Sequence, residues 1–164
     1  MIKKPFVTKG QIEEITKTYP TPFHLYDERG IRENVKALKE AFSWNKGYKE
    51  YFAVKATPNP FLIQILKEYG CGCDCSSYTE LMLSDAMDIR GADIMFSSND
   101  TPAEDFALAE KLGAIINLDD ITHIISLRRR SDISRKRSAA VTIRADFSRS
   151  AMTSWTTREM LSTV

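Results

Sequence analysis

Strand-like and helix-like stretches alternate through the middle of this chain, with starts about twenty residues apart, and that rhythm leaves few folds open. Short apolar runs near residues 51–55, 71–76, 93–97 and 114–117 each precede a helix-like stretch, near 61–69, 77–87, 102–112 and 119–127. When a helix separates each strand from the next, consecutive strands run the same way, so four such units predict a parallel sheet covered by helices. Periodicity alone does not choose between a doubly wound sheet and part of a barrel. Local punctuation agrees with the alternation. Ser77-Tyr78-Thr79-Glu80 and Thr101-Pro102-Ala103-Glu104 both fit a capping box, the second with proline at the first helical position. Gly70 and Gly113 stand where helices should stop. Upstream, Thr8 opens a short helix over 8–18, residues 21–26 read as a strand, and Asp27 caps a longer helix. Its apolar positions Ile31, Val35, Leu38 and Phe42 fall at helical spacing.

The first of the four strands ends on a lysine. In Glu50-Tyr51-Phe52-Ala53-Val54-Lys55-Ala56-Thr57-Pro58-Asn59-Pro60, the apolar run reads as a buried strand and the proline-rich stretch ends it and starts a helix. Lys55 therefore sits at the carboxyl end of a strand, where α/β enzymes carry their chemistry. An ammonium held at the edge of an apolar site is pushed toward the neutral amine, the form that condenses with an aldehyde. On these residues alone, a strand-end lysine with its stem on apolar surface and its charge in water is the more ordinary reading.

At 164 residues the chain can build one domain with a real core, but it is shorter than the ~250 residues of a complete (β/α)8 barrel. No apolar run approaches the ~20 residues of a membrane span, and Met1-Ile2-Lys3-Lys4-Pro5 lacks the apolar segment of a secretory signal, so a cytoplasmic protein is expected. Cys71, Cys73 and Cys75 alternate along one strand, about 7 Å apart on one face. Such neighbours are poor disulfide partners, and a tetrahedral metal site would need a fourth ligand that nothing nearby offers. They read as small core residues, with no metal expected.

Four segments, taken together, resemble the fold-type III, alanine-racemase-like pyridoxal-phosphate decarboxylases, and most nearly their diaminopimelate decarboxylase branch. They are Thr21-Pro22-Phe23-His24-Leu25-Tyr26-Asp27, the Lys55 strand, Gly70-Cys71-Gly72-Cys73-Asp74-Cys75-Ser76-Ser77-Tyr78-Thr79-Glu80-Leu81, and Asp93-Ile94-Met95-Phe96-Ser97-Ser98-Asn99. The resemblance runs from about residue 18 to Ile124. It implies an α/β fold, a partial (β/α)8 TIM-type barrel of about the first four βα units, followed by an irregular tail. It implies Lys55 as the catalytic, cofactor-anchoring residue and Asp74 beside it, with Ser77 and Glu80 of less weight. The cofactor so implied is pyridoxal 5'-phosphate and the reaction is decarboxylation of meso-diaminopimelate to L-lysine. A polyamine precursor such as carboxynorspermidine, ornithine or arginine is the alternative substrate, and a non-catalytic pyridoxal-phosphate-binding or interaction protein with a basic tail is the alternative of a different class. The family resembled takes its glycine-rich phosphate loop, ring-stacking histidine and pyridine-facing acid from later strands, and its full-length form is a homodimer. The partners implied are a small amino-acid substrate, with neither nucleic acid nor membrane.

Physical reading supports Asp74, because a carboxylate at the end of a strand lined by Cys, Gly and Ser is costly to bury without a cation, which Lys55 would supply. A solvated strand-end acid is its bland alternative. Ser77 and Glu80 are sufficiently explained as a helix cap. Asn99 suits a turn without any function, and His24 and His123 read as structural.

The near-balance of 23 basic and 22 acidic residues hides a break. Residues 1–127 carry 14 basic and 19 acidic side chains, and residues 128–164 carry 9 and 3. Arginine makes up three of the first 14 and eight of the last nine. A basic arm for an anionic surface would explain the charge, and disorder would explain the lost periodicity. Reading the tail as a displaced frame explains both. Arg144 to Ala151 is what P-G-G-L-F-E-I-S becomes when read one base late, and Met152 to Val164 is what N-D-I-M-D-N-P-G-D-A-K-Y-G becomes. Residues 1–124 are thus expected to be the amino-terminal part of a cofactor-binding barrel, residues 125–164 an out-of-frame tail, and the whole a truncated, inactive fragment. Sequencing the gene across codons 118–170 should reveal a lost base near codon 125, with R-Y-N-P-G-G continuing in the next frame. An intact frame with no family-like sequence in the alternative one would refute the displaced-frame reading.

Overall fold

A computed structural model of the chain describes residues 5–99, 101–118 and the strand at 139–141. The described residues form five α-helices, two short 3₁₀ helices and five strands. Helix α1 (Lys9–Thr18) and helix α2 (Glu28–Ala41) lead into strand β1 (Tyr51–Ala53), α3 (Pro60–Glu68), β2 (Gly72–Cys75), α4 (Tyr78–Ala86), β3 (Ile94–Ser97), α5 (Ala103–Leu112), β4 (Ile115–Leu118) and β5 (Ala139–Val141). The strands lie in the sheet in chain order, each parallel to the next. A doubly wound sheet reverses its strand order part-way along. An unreversed order with crossovers of one hand stacks the helices on one face, which is barrel winding. This resolves the alternative that periodicity leaves open.

Burial follows from that winding. Phe52, Cys73 and Ile94 occupy matched register positions, as do Cys75, Phe96 and Ile116 two residues further along. All but half-buried Phe52 are buried, in a core that includes Ile63, Leu81 and Phe106 of the covering helices. Phe96 and Phe106 meet edge to face with ring centroids 6.0 Å apart, a preferred aromatic geometry. Cys73 and Cys75 are free core thiols, as expected. Burial pushes both thiols up, Cys75 to about 12, so neither supplies a thiolate near neutrality. Cys71, just ahead of β2, belongs to a smaller cluster with Val35 and Leu66 that seats α2 against α3.

The expected helix signals hold at most positions. Thr8 makes a reciprocal capping box with Gln11, Asp27 accepts from the Gly30 amide, and Asn59 with Pro60 opens α3. Gly70 and Gly113 adopt positive φ of 78° and 75°. In each case the following amide returns to the helix, Cys71 to the Leu66 carbonyl and Ala114 to the Ala109 carbonyl, the left-handed stop that glycine permits. Lysines tie successive helices together: Lys39 of α2 donates to the Tyr69 carbonyl after α3, and Lys67 of α3 to the Met87 and Asp88 carbonyls after α4. Cations there complement the negative ends of the helix dipoles.

Three expectations are corrected. Residues 21–26 form no strand and take no place in the sheet among the described residues; His24, Leu25 and Tyr26 are exposed. Thr101 does not cap α5. Its hydroxyl donates instead to the Ser98 carbonyl, and Pro102 stands at the cap with no side-chain bond to the helix. The tail is not irregular throughout, since β5 lies within it, and β4 is consequently not the sheet edge. An open parallel edge at β4 gives Ala139-Ala140-Val141 a ladder. The helix expected over 119–127, with His123, and the rest of the tail beyond residue 118 lie outside the described residues.

One glycine is sterically required. A Cβ at Gly72 would stand 2.5 Å from the Asp93 carbonyl oxygen and 2.7 Å from the Tyr51 ring. Gly72→Ala should therefore destabilise the fold by about 1–3 kcal/mol as an overpacking change, read as a lower denaturation midpoint; an unchanged midpoint would contradict the close approach of β2 to its neighbours.

Candidate active site

The sheet's other face is only half-buried, and its residues fall into rows. Ala53, Asp74, Met95 and Ile115 are register partners across β1 to β4. One layer toward the carboxyl ends, Ser97 pairs with Asn117, and the Asn117 amide donates to the Ser97 hydroxyl at 3.0 Å. Lys55 follows the end of β1 and Ser76 the end of β2, so polar side chains stand at or just beyond four strand ends, above a row that is apolar except for Asp74. In parallel α/β folds, ligands bind at these ends.

Lys55 lies where the sequence puts it, just past β1, but in a single 3₁₀ turn, Val54–Ala56, that replaces the last expected strand residue. Val54 turns into the core while Lys55 is exposed. The apolar enclosure expected around its amine is thus not built by the described residues, because only strands on one side of it are among them. Asp74 is half-buried on β2, its neighbour strand. Burial pushes its carboxyl above the usual range, the Lys55 ammonium draws it back, and the Glu80 carboxylate adds to the rise. Lys55 thus bears on Asp74 through charge from the adjacent strand end, with no ion pair between them among the described residues.

Ser77 caps α4, accepting from the Glu80 amide at 3.4 Å, the structural role anticipated for it. Glu80 departs from a simple capping box. Its carboxylate reaches past Ser77's amide to the amide of Ser76 at 2.9 Å, and accepts from the Ser76 and Ser77 hydroxyls at 3.1 and 3.0 Å. It holds the whole β2–α4 turn, beginning two residues after Asp74. Asn99 and His24 are exposed and away from this network. Two contributors escape a reading of sequence motifs. Asn117 carries a signal, a polar residue within the apolar strand Ile115–Leu118. Asp105 carries none, because an acid in the first turn of a helix is ordinary; it is 6% exposed and accepts from the backbone amide of Tyr78, on a different helix, at 3.1 Å. Among the described residues no cluster of His, Cys, Asp or Glu could hold a metal ion, and no helix is long and apolar enough to cross a membrane.

A singly wound parallel sheet with an amine and a carboxylate at adjacent carboxyl ends defines the amino-terminal part of a barrel enzyme. Residues 28–160 match the family described as pyridoxal-dependent decarboxylase, pyridoxal binding domain. The chain belongs to this decarboxylase family. Among curated relatives, it is 44% identical over 109 residues to Protein TabA of Pseudomonas amygdali pv. tabaci, covering 66% of this chain and 26% of that one. It is 30% identical over 121 residues to diaminopimelate decarboxylase of Thermoplasma acidophilum, covering 74% of this chain and 30% of the relative. The chain therefore spans between a quarter and a third of the length of these relatives. Among solved structures, diaminopimelate decarboxylase from Helicobacter pylori complexed with L-lysine superposes with a TM-score of 0.62 at 30% identity, covering 70% of this chain and 29% of that one. Lysine decarboxylase from Selenomonas ruminantium reaches a TM-score of 0.71 at 17% identity, covering 84% of this chain and 40% of that one, a likeness of fold.

The elevated proton affinity of Asp74 has a consequence for stability. The folded state binds this proton more tightly than the unfolded chain, so Asp74 costs stability once pH rises above its folded range, and the cost vanishes below its unfolded range near ~3.9. Asp74→Asn should raise the denaturation midpoint at neutral pH, with the gain closing as pH falls into the acid range. A gain that grows on acidification would reverse the sign of this assignment.

Proposed function

We propose that this chain provides the lysine-bearing part of the cofactor site of a pyridoxal-phosphate-dependent decarboxylase acting on meso-diaminopimelate and yielding L-lysine. The observation that carries the proposal is the convergence of Lys55 and Asp74 at adjacent strand ends, above the half-buried face. The residues fit the group: Lys55 offers an accessible amine to hold its aldehyde, and Asp74 offers a partly desolvated carboxylate within electrostatic reach of that amine. When bound, the cofactor would take up the electron pair left as the substrate's carboxylate departs. Asp74 acts on the Lys55 amine through its charge from the adjacent strand end. Ser76, Ser97 and Asn117 line the same end of the sheet with hydrogen-bonding groups, while Glu80 keeps the turn that carries Ser76 and Ser77 in place.

Diaminopimelate is favoured as substrate because the diaminopimelate decarboxylases of Thermoplasma, rice and Helicobacter match at 30%, 32% and 35% identity. The lysine and ornithine decarboxylase structures match at 17–24%. The assembled enzyme is a cytoplasmic homodimer in this reading. Residues 125–164 are an out-of-frame continuation, so the chain as it stands holds the cofactor without turning over substrate. The family match extends across that boundary to residue 160, and the gene sequence decides between a divergent continuation and a displaced frame.

Incubating the purified chain with pyridoxal phosphate, reducing with borohydride and mapping the modified peptide by mass spectrometry should place the pyridoxyl group on Lys55. Lys55→Ala should abolish that label. A label spread over surface lysines and equal in the variant would defeat the assignment.

A further inference from the structure

We infer that Asp105, on the neighbouring helix α5, is a positioning residue for the cofactor site, acting through the backbone amide of Tyr78 to fix the β2–α4 turn; this rests on the reading of Lys55 and Asp74 given above. The geometry is specific. Asp105 lies in the first turn of α5 and is 6% exposed, and its carboxylate accepts from the Tyr78 amide at 3.1 Å. Tyr78 is the first residue of α4, and its amide is one of the donors that a helix start leaves without an intrahelical partner. Ser77 satisfies the Glu80 amide, and Glu80 in turn holds Ser76. Asp105 supplies the tie that comes from outside α4. Without it, the turn is held only by groups that move together.

That difference matters for Asp74. Its strand continues through Cys75, whose thiol lies 3.2 Å from the Ser84 hydroxyl on α4, and then directly into the turn at Ser76. The start of α4 and the position of Asp74 are therefore mechanically linked across four residues. Burying an aspartate is costly, and a charge-assisted bond to a helix-start amide offsets part of that cost. Burial pushes the Asp105 carboxyl up, the bond from the Tyr78 amide draws it back, and nearby Glu104 raises it further. A cap contributed by α4 itself would serve the helix equally well; one contributed by α5 also fixes the second βα unit against the third.

Two variants remove the tie from opposite sides. Asp105→Ala deletes the acceptor. Tyr78→Pro deletes the donor at a position that accommodates proline, since the first helical residue has no intrahelical bond to lose and Ser77 before it is already extended at φ −152° and ψ 164°. The readout is pyridoxyl labelling of Lys55 against pyridoxal phosphate concentration, at a temperature where circular dichroism shows each protein folded. Each variant should weaken labelling about tenfold, the loss of one hydrogen bond to a charged group. The double variant should weaken it no further, and Asp105→Asn, which keeps an acceptor for the amide, should restore it. Both variants folded but labelling like the parent chain would overturn the inference, as would both variants unfolded with Asp105→Asn restoring only the fold. Absence of Lys55 labelling in the parent chain itself would instead defeat the functional reading on which the inference rests.

Discussion

The parallel ladder with all its helices on one side is the constraint on which the remainder of the structure depends. Because β1 to β5 follow one another in chain order, every described crossover helix lands on the same face, and only that face is buried by the chain's own helices. Apolar side chains at alternate positions must go there. The positions between them face the other way, and they need not be apolar. Ala53, Asp74, Met95, Ser97 and Asn117 occupy these intervening positions, so the polar groups of the candidate site stand where the period-two pattern places what the core cannot use.

The turn after β2 shows how such a fold converts stability into placement. Ser77, Glu80 and Asp105 all address the amino-terminal end of α4, and each could be called a cap. They act at different ranges: Ser77 within one helical turn, Glu80 back across the turn to Ser76, and Asp105 from the adjoining helix. Together they hold the backbone that follows Asp74. The partial desolvation of Asp74 depends on that backbone, and so does its distance from Lys55. A carboxylate free to swing into solvent would have an ordinary proton affinity and little influence on a neighbouring amine.

Lys55 marks the limit of what one arc of a barrel can do. Its position at a strand's carboxyl end follows from the local sequence, because Val54 is drawn into the core and the Thr57-Pro58-Asn59-Pro60 stretch stops the strand and opens α3. Its environment does not follow, since enclosure of the amine needs walls on more sides than β1 and β2 supply. The relatives are three to four times longer than the part of them this chain covers, and the described strands form one contiguous arc.

The alternation of strands and helices, the glycine stops at Gly70 and Gly113, and the caps at Thr8, Asp27 and Ser77 were legible in the sequence, because each is a local pattern with a local physical cause, while the Lys55 and Asp74 motifs were legible through the family resemblance. Tertiary structure alone decided matters that depend on what lies alongside. It excluded a doubly wound sheet through strand order and left residues 21–26 without a strand partner. It turned Thr101 toward Ser98 rather than α5, and gave β4 a neighbour in β5. It also recruited Asp105 to another helix and joined Asn117 to Ser97. A capping signature specifies that a helix can begin, but the hydrogen bond finally made is the one whose partner the packed neighbours bring within reach.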